Sequence, residues 1–201
     1  MAARLSNDLG IRHYKCDDHF ARHLDEAAAS GRKFATLAKG ATHEYIFMRP
    51  DEENVSFALG IHSEEFDFVV DDIFKEEERL VVEGCCLLPR KVSSIGMPKS
   101  NIFYFVPTET FHRKKYQEDR PWAWDRLRET SNPEQAYENW MKRDAMMAKR
   151  IYSDAVSLGY WAREVDENTD FDEVYSNILN KAQKLSANQS VEDNLSDAPR
   201  P

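Results

Sequence analysis

Carboxylate side chains follow two of the strands that the sequence predicts. Asp17 and Asp18 come at the end of a strand predicted over residues 11–16, and Glu83 lies near the end of one predicted over residues 79–84. Ligands of open α/β sheets meet the carboxyl ends of the strands, so these side chains are candidates for a metal site or for contact with a reacting group. The alternatives are structural: Asp18 also suits a helix N-cap, and Glu83 a solvent-exposed strand end.

The densest group of basic side chains in the chain lies on a predicted helical segment. It consists of Arg113, Lys114, Lys115 and Arg120. Cations grouped in this way can stabilise negative charge on a ligand. The alternative is a solvated helix face, on which they form local ion pairs with Glu118 and Asp119.

Two further arginines are candidates for anion binding. Arg143 lies three residues after Trp140 on a later predicted helix, and the alternative for it is an ion pair with Asp144 or Glu138. Arg49, just before Pro50, could reach an anionic substrate group from its loop.

Histidine and tryptophan spacings also suggest roles. His19 and His23 are four residues apart on a predicted helix, a spacing that can bind a metal, but no third ligand is suitably spaced. We expect an aromatic group at helical spacing to pack the 108–132 segment onto the core rather than to stack on a base; its members are Trp122, Trp124, Trp140 and Tyr137.

Elements that alternate between strand and helix must position these side chains. Strands are predicted over residues 11–16, 79–84, 101–107 and 160–165. Long helices are predicted over residues 51–74 and 132–159, with a helical segment over 108–128. Continuous apolar strands separated by helices are typical of a parallel sheet covered on both faces, so we predict an α/β fold with three layers.

Composition limits the function classes. The 201 residues include 36 acidic and 27 basic side chains, a net charge of −9 that disfavours nucleic-acid binding. No apolar run reaches the length of a membrane span, so we expect a cytoplasmic protein without a membrane partner. Cys16, Cys85 and Cys86 imply no disulfide framework and are expected to be buried thiols. Oligomeric state is left open.

The chain is long enough for a single domain with a sizeable core. We assign residues 1–185 to this domain, which ends with a helix over residues 171–185. Residues 186–201 are polar and acidic and end Pro-Arg-Pro, so we predict a disordered tail there.

Four local sequences together resemble a known superfamily. Residues 2–11 are similar to a helix that follows a phosphate-binding loop, and Cys16-Asp17-Asp18-His19 to the acidic end of the next strand. Leu80-Val81-Val82-Glu83-Gly84 resembles a Walker B-type strand, and residues 108–120 a basic lid. In this pattern the chain resembles the P-loop small-molecule kinases, which include shikimate, gluconate, uridine and nucleoside monophosphate kinases, and especially a group of bacterial kinase-like proteins.

The resemblance implies an ATP- and Mg²⁺-dependent phosphotransferase that acts on a hydroxyl of a small metabolite. It implies catalytic roles for Asp17, Glu83, Arg113 and Arg120, with Asp17 and Glu83 also at the metal. Substrate contacts would come from Asp18, Arg49 and Arg143, and a nucleotide contact from Lys115. Residues 108–132 would form the lid.

One part of the family pattern is missing from this sequence. It has no Gly-x-x-x-x-Gly-Lys-[Ser/Thr] motif, and the strand that precedes the motif, which is central in the family's sheet, is missing too. The strand around Val81 and the strand around Ile102 would then either pair directly or leave a slot between them. A start further upstream, a degenerate kinase, or a strand supplied by a partner would each explain this, and we expect the first because the opening helix lacks a cap.

Loss of the loop predicts little or no turnover, because the loop provides most of the positioning and electrostatic stabilisation of phosphoryl transfer. The alternative function is a non-catalytic protein with a kinase-like shell that binds a metabolite or a protein partner.

Overall fold

The structure is a computed structural model that describes residues 1–76 and 78–196, with side-chain surroundings through residue 184. The described helices are α1 (Ala2–Leu9), α2 (Cys16–Ala29), α3 (Lys33–Lys39), α4 (His43–Phe47), α5 (Asp51–Ile73), α6 (Pro89–Ser94), α7 (Glu109–Asp119), α8 (Trp122–Leu127), α9 (Pro133–Ser157) and α10 (Phe171–Ser196). The strands are β1 (Arg12–Lys15), β2 (Leu80–Glu83), β3 (Phe103–Pro107) and β4 (Trp161–Val165). A short 3₁₀ helix covers Lys99–Asn101. The α/β class is confirmed.

The described strands form two separate parallel pairs. β1 pairs with β2, with Lys15 opposite Glu83. β3 pairs with β4, with Phe103 opposite Trp161. Within the described residues β2 and β3 do not pair, so the direct pairing considered above is absent. The predicted parallel sheet is therefore divided, because strands hydrogen-bond only where they lie about 4.8 Å apart.

Helix α5 contributes side chains to two separate hydrophobic clusters of the core. It begins after Pro50, and acidic side chains occupy its first turn, where the helix dipole favours negative charge. Val55 packs with Met147 of α9, and Val69 packs with Tyr14 of β1. The helix predicted over residues 51–74 is thus confirmed.

Helix α9 contacts α5 as well as β3 and β4. Its N-cap is Asn132, whose side-chain oxygen accepts a hydrogen bond from the backbone amide of Gln135 (3.1 Å), and Pro133 occupies the first turn. Beyond its end Gly159 has a φ of +74°, which an L side chain rarely adopts. This helix was predicted over residues 132–159.

The 108–132 segment consists of two helices rather than the predicted continuous one. α7 ends at Asp119, and α8 begins at Trp122 after Pro121, because proline cannot continue the hydrogen bonding of a preceding helix. Tyr116 and Leu127 pack with Trp140 of α9.

The aromatic group predicted to attach this segment to the core does so in most of its members. Trp140 and Tyr137 are buried, and Trp124 stacks on Tyr137 with ring centroids 5.2 Å apart. Trp122 stays 43% exposed, although its ring lies 6.2 Å from that of Trp140.

The last helix is longer than predicted. α10 continues to Ser196, past the predicted end at Leu185, because no glycine or proline interrupts residues 186–196. The rest of the predicted tail, residues 197–201, lies outside the described residues.

Candidate functional site

Charged side chains from several elements act electrostatically on the thiol of Cys85, just after β2. Burial, together with the negative charges of Asp17, Asp144 and Glu65, raises the pKa of Cys85 to about 11, whereas the charge of Arg120 acts in the opposite direction. The residue nevertheless keeps part of its surface exposed to solvent. We call this group of five residues the Cys85 cleft.

Close packing between the ends of β1 and β2 positions the floor of the cleft. A Cβ atom on Gly84 would lie 2.4 Å from the Cβ of Cys16, so only glycine fits there. Cys16 and Cys86 are buried, and a hydrogen bond between their thiols raises the pKa of Cys86. The prediction of three buried cysteines was wrong for Cys85, which is exposed just after the end of β2.

Asp144 carries a stable negative charge in the cleft wall. Burial acts to raise its pKa, but the charge of Arg143 and hydrogen bonds from His112 and Arg143 outweigh this and lower the pKa. His112 Nε2 lies 3.0 Å from Asp144 Oδ2, and Arg143 Nη2 donates to Asp144 Oδ1 at 2.6 Å. The predicted alternative for Arg143, an ion pair with Asp144, is therefore present.

Glu65 contributes a buried carboxylate that the sequence analysis missed. Its side chain is 4% exposed, and its described partner is the imidazole of His62, with Nδ1 3.1 Å from Oε2. A signal exists in the sequence: Glu65 lies four residues after Ile61 and four before Val69, on the apolar stripe of α5. A carboxylate in that position is a candidate for a buried functional group.

Arg120 has a charge that no described carboxylate neutralises. Its guanidinium lies 4.5 Å from the ring centroid of Tyr116, and Nη1 donates a hydrogen bond to the hydroxyl of Tyr116 at 2.9 Å. Among the described residues it forms no ion pair. The guanidinium is thus fixed in direction and available to an anion.

Arg49, like Arg120, is a cation that lies over aromatic rings and forms no ion pair with a described carboxylate. Its guanidinium lies 4.1 Å from the ring centroid of Tyr45 and 4.0 Å from that of Phe57. Nε donates to the carbonyl of Tyr45 (3.0 Å), and no ion pair with a described carboxylate occupies the remaining donors. Two rings and a backbone oxygen therefore hold an uncommitted cation beside α4 and α5.

Two of the predicted basic site residues are already neutralised. Arg113 donates to Glu109 (3.0 Å) and to Glu138 (3.1 Å). Lys115 lies 3.1 Å from a carboxylate oxygen of Glu118 and makes a second, longer ion pair with Asp119. These are the local ion pairs that formed the structural alternative.

The predicted carboxylates also differ in whether a basic side chain lies beside them. Asp17 is exposed, without a described ion pair, and belongs to the Cys85 cleft. Asp18 forms a 3.5 Å ion pair with Lys15. Glu83 Oε1 lies 3.1 Å from Nε2 of His13.

Strand alternation places Glu83 on the side of the β1–β2 pair that His13 occupies, because Tyr14 and Val82 face the core on the other side. Among the described contacts none joins Asp17 to Glu83, and the Glu83 carboxylate lies beside the His13 imidazole. No group of three or more histidine, cysteine or acidic residues in the described part of the chain is arranged to hold a metal ion.

Comparisons with protein-family models, with curated proteins and with solved structures found no match. None of the described helices is both long enough and apolar enough to cross a membrane.

A second charged network, centred on Asp72, contacts Tyr14 of β1, and sequence reasoning missed it too. Asp72 accepts a hydrogen bond from the hydroxyl of Tyr14 (2.7 Å) and pairs with Arg22, and its Oδ2 lies 3.0 Å from Nε2 of His23. The metal pairing considered for His19 and His23 is absent from this arrangement, because His23 is fully buried and its Nε2 faces Asp72. This network joins α2 to the end of α5.

Proposed function

We propose that this chain is a kinase-like phosphotransferase scaffold related to the P-loop small-molecule kinases. In this proposal the Cys85 cleft is where a phosphoryl group and the hydroxyl of a small metabolite meet. The observation that carries it is that the charges of Asp17, Arg120 and Asp144, from different parts of the chain, all act on Cys85, directly after the carboxyl end of β2. Ligands of open α/β sheets bind at that edge.

The strand pairing supports the same relationship. Both pairs are parallel, and they are interrupted between β2 and β3. This is the position at which the resemblance places an additional central strand. Under the proposal the two pairs belong to one three-layer α-β-α arrangement.

Each uncommitted side chain of the cleft has a chemical role in the proposal. Asp17 has a carboxylate free to accept a proton from the acceptor hydroxyl or to bind Mg²⁺ through water. Arg120, fixed on Tyr116, would stabilise negative charge that develops on the transferred phosphoryl group. ATP supplies that group when it is bound.

Turnover by this chain alone is expected to be low. The sequence has no phosphate-loop motif, so neither its backbone amides nor its lysine are available to hold the triphosphate. The proposal therefore predicts nucleotide binding that is measurable but weak, and this is the quantity to test.

The first experiment is thermal unfolding of the chain with and without millimolar Mg²⁺–ATP. A ligand at 100 times its dissociation constant stabilises a protein by about 2.7 kcal/mol, so weak binding still raises the midpoint. We expect a magnesium-dependent rise in the wild type that is reduced in Asp17→Asn. The matched control is Asp25→Asn, because Asp25 is an exposed acid on the same helix that pairs with Lys39. An unchanged midpoint in the wild type would contradict the nucleotide site.

One observation favours a second function, a non-catalytic protein that binds an anionic metabolite. Arg49 is held by Tyr45 and Phe57 with free donors, and it needs no nucleotide to act as an anion receptor. Meanwhile Arg113 and Lys115 are neutralised by neighbouring carboxylates.

The same unfolding measurement distinguishes the two functions. Sugar phosphates and hydroxy acids, added without nucleotide, would raise the midpoint of the wild type but not of Arg49→Gln if the second function is correct. Lys33→Gln is the control, because Lys33 also lies over a ring, that of Phe34. Stabilisation by Mg²⁺–ATP, reduced by Asp17→Asn, would favour the first function instead.

A further inference from the structure

A groove lies between the β3–β4 pair and α10. Its volume is about 320 Å³. The lining residues are Trp161, Arg163, Val174, Asn177, Ile178 and Lys181. The four from α10 follow a spacing of three and four residues, so one face of the helix forms one wall.

One cation, Arg163, lies on the strand side of this groove. Arg163 is half-buried, and no ion pair with a described carboxylate accounts for its charge. Elsewhere in this acidic chain, exposed arginines such as Arg90 and Arg150 pair with Asp154 and Glu52. The guanidinium of Arg163 therefore keeps hydrogen-bond donors that an anion beside it could accept.

The helix side carries a second uncommitted cation above aromatic rings. The ammonium of Lys181 lies 5.9 Å from the ring centroid of Trp161 and 5.8 Å from that of Phe103. The Trp161 ring also meets Phe105 edge-on, with centroids 5.3 Å apart. The aromatic floor is therefore fixed by its neighbours, and both cations border it.

We propose that this groove binds a small organic anion, with a phosphate or carboxylate group between Arg163 and Lys181 and an apolar portion against Trp161, Val174 and Ile178. The two cations recognise the charge, and the aliphatic and aromatic walls exclude ligands that are charged throughout. The site is independent of the proposed phosphotransferase function, because it shares no residue with the Cys85 cleft.

The experiment is an NMR titration of the full chain with phenyl phosphate, which follows the indole N–H of Trp161. We expect a saturable shift, with binding by inorganic phosphate or by phenol at least about tenfold weaker, because each lacks half of the recognised structure. No saturable shift at millimolar phenyl phosphate overturns the proposal. Equal affinity for phenol, or for inorganic phosphate, also overturns it.

Two variants and two controls test the assigned residues. Arg163→Gln and Lys181→Gln should each weaken phenyl phosphate binding by about tenfold, the value of one charge-assisted hydrogen bond. Lys184→Gln removes the same charge from an exposed position one turn further along α10 and should change the affinity less than about twofold. Arg120→Gln should leave the Trp161 shift unchanged, which separates this groove from the cleft. Wild-type affinity in both groove variants contradicts the assignment.

Discussion

Arg120 is held on Tyr116 by two contacts at once, a guanidinium carbon 4.5 Å above the ring and a 2.9 Å hydrogen bond to the ring hydroxyl. Tyr116 is itself buried against Trp140, with ring centroids 5.3 Å apart. The cation is therefore held on a buried aromatic support, and its charge acts on Cys85. A direction fixed before binding lowers the entropy that an anionic ligand must overcome.

Arg120→Gln should abolish most of the stabilisation by Mg²⁺–ATP, because the cleft then lacks a cation that no described carboxylate neutralises. The control is Arg126→Gln in the same segment: Arg126 also lies over an aromatic ring, that of Trp122, at 4.9 Å. Both variants lose one cation–π contact, so a difference in thermal shift isolates the contribution of the cleft. Equal shifts in the two variants would remove Arg120 from the site.

The thiol of Cys85 should react slowly with iodoacetamide. Burial and nearby carboxylates raise its pKa to about 11, so at pH 8 its alkylation should be on the order of 100-fold slower than that of a free cysteine. The rate should rise as pH increases toward 11, because only the thiolate reacts. Mass spectrometry identifies the modified residue, and Cys85→Ser should lose the modification.

Asp17→Asn should accelerate this alkylation at pH 8, because removal of a negative charge near Cys85 lowers the pKa of its thiol. Asp25→Asn is again the control, since Asp25 pairs with Lys39 on the surface. An unchanged rate in Asp17→Asn would show that Asp17 does not act on Cys85 and does not belong to the Cys85 cleft.

Asp72→Asn should destabilise the fold by about 1–2 kcal/mol, because it removes the charge that accepts hydrogen bonds from Tyr14, Arg22 and the buried His23. Asp72 binds Tyr14, Arg22 and His23, whereas the neighbouring Asp71 is exposed, so Asp71→Asn is the control. Urea unfolding at pH 7 measures both. A loss no larger than that of Asp71→Asn would contradict the importance of the network.

The same network predicts a pH dependence. Burial acts to raise the pKa of Asp72, but hydrogen bonds from Tyr14, Arg22 and His23 outweigh it and lower the pKa well below the ordinary value. A lowered folded-state pKa gives stability that is present above the unfolded value, about 3.9, and is lost as pH falls below it. When the pH falls from about 5 to about 3, the wild type should therefore lose more free energy of unfolding than Asp72→Asn does. A free carboxyl titrates in about this pH range.

Gly84→Ala should destabilise the protein by about 1–3 kcal/mol, because the added Cβ would overlap Cys16 and push apart the ends of β1 and β2. Gly40→Ala is the control: its added Cβ meets open space, and its φ of −98° suits alanine. Chemical denaturation compares the two. If Gly84→Ala is as stable as the control, the contact with Cys16 is looser than described.

Much of the secondary structure follows from local sequence. The apolar spacing of residues 51–74 and the Asn132-Pro133 start predicted α5 and α9, and apolar runs predicted each described strand to within two residues at either end. These signals are local because helix periodicity, capping and proline geometry act within a few residues. The break between α7 and α8 at Pro121 was readable in the same way, but the charged sequence around it was assigned to one helix.

The candidate site depends on packing between segments that are distant in the sequence, which the sequence alone does not show. Asp17 could be selected because it follows a strand, but Glu65 and Asp144 lie inside long helices, and only the packing of α5 and α9 brings them toward Cys85. Likewise, the residue types of Arg113 and Arg120 gave no way to separate a neutralised cation from a free one.

The sequence by itself determined the α/β class, the main elements and the strand-end position of Asp17, since each rests on interactions between near neighbours in the chain. Only the tertiary structure decided that the strands pair two by two, that Glu83 lies beside His13 and that the charges of Glu65 and Asp144 act on Cys85. Strand partners, side-chain pairing and burial depend on contacts between distant segments, and those contacts form only when the whole chain packs.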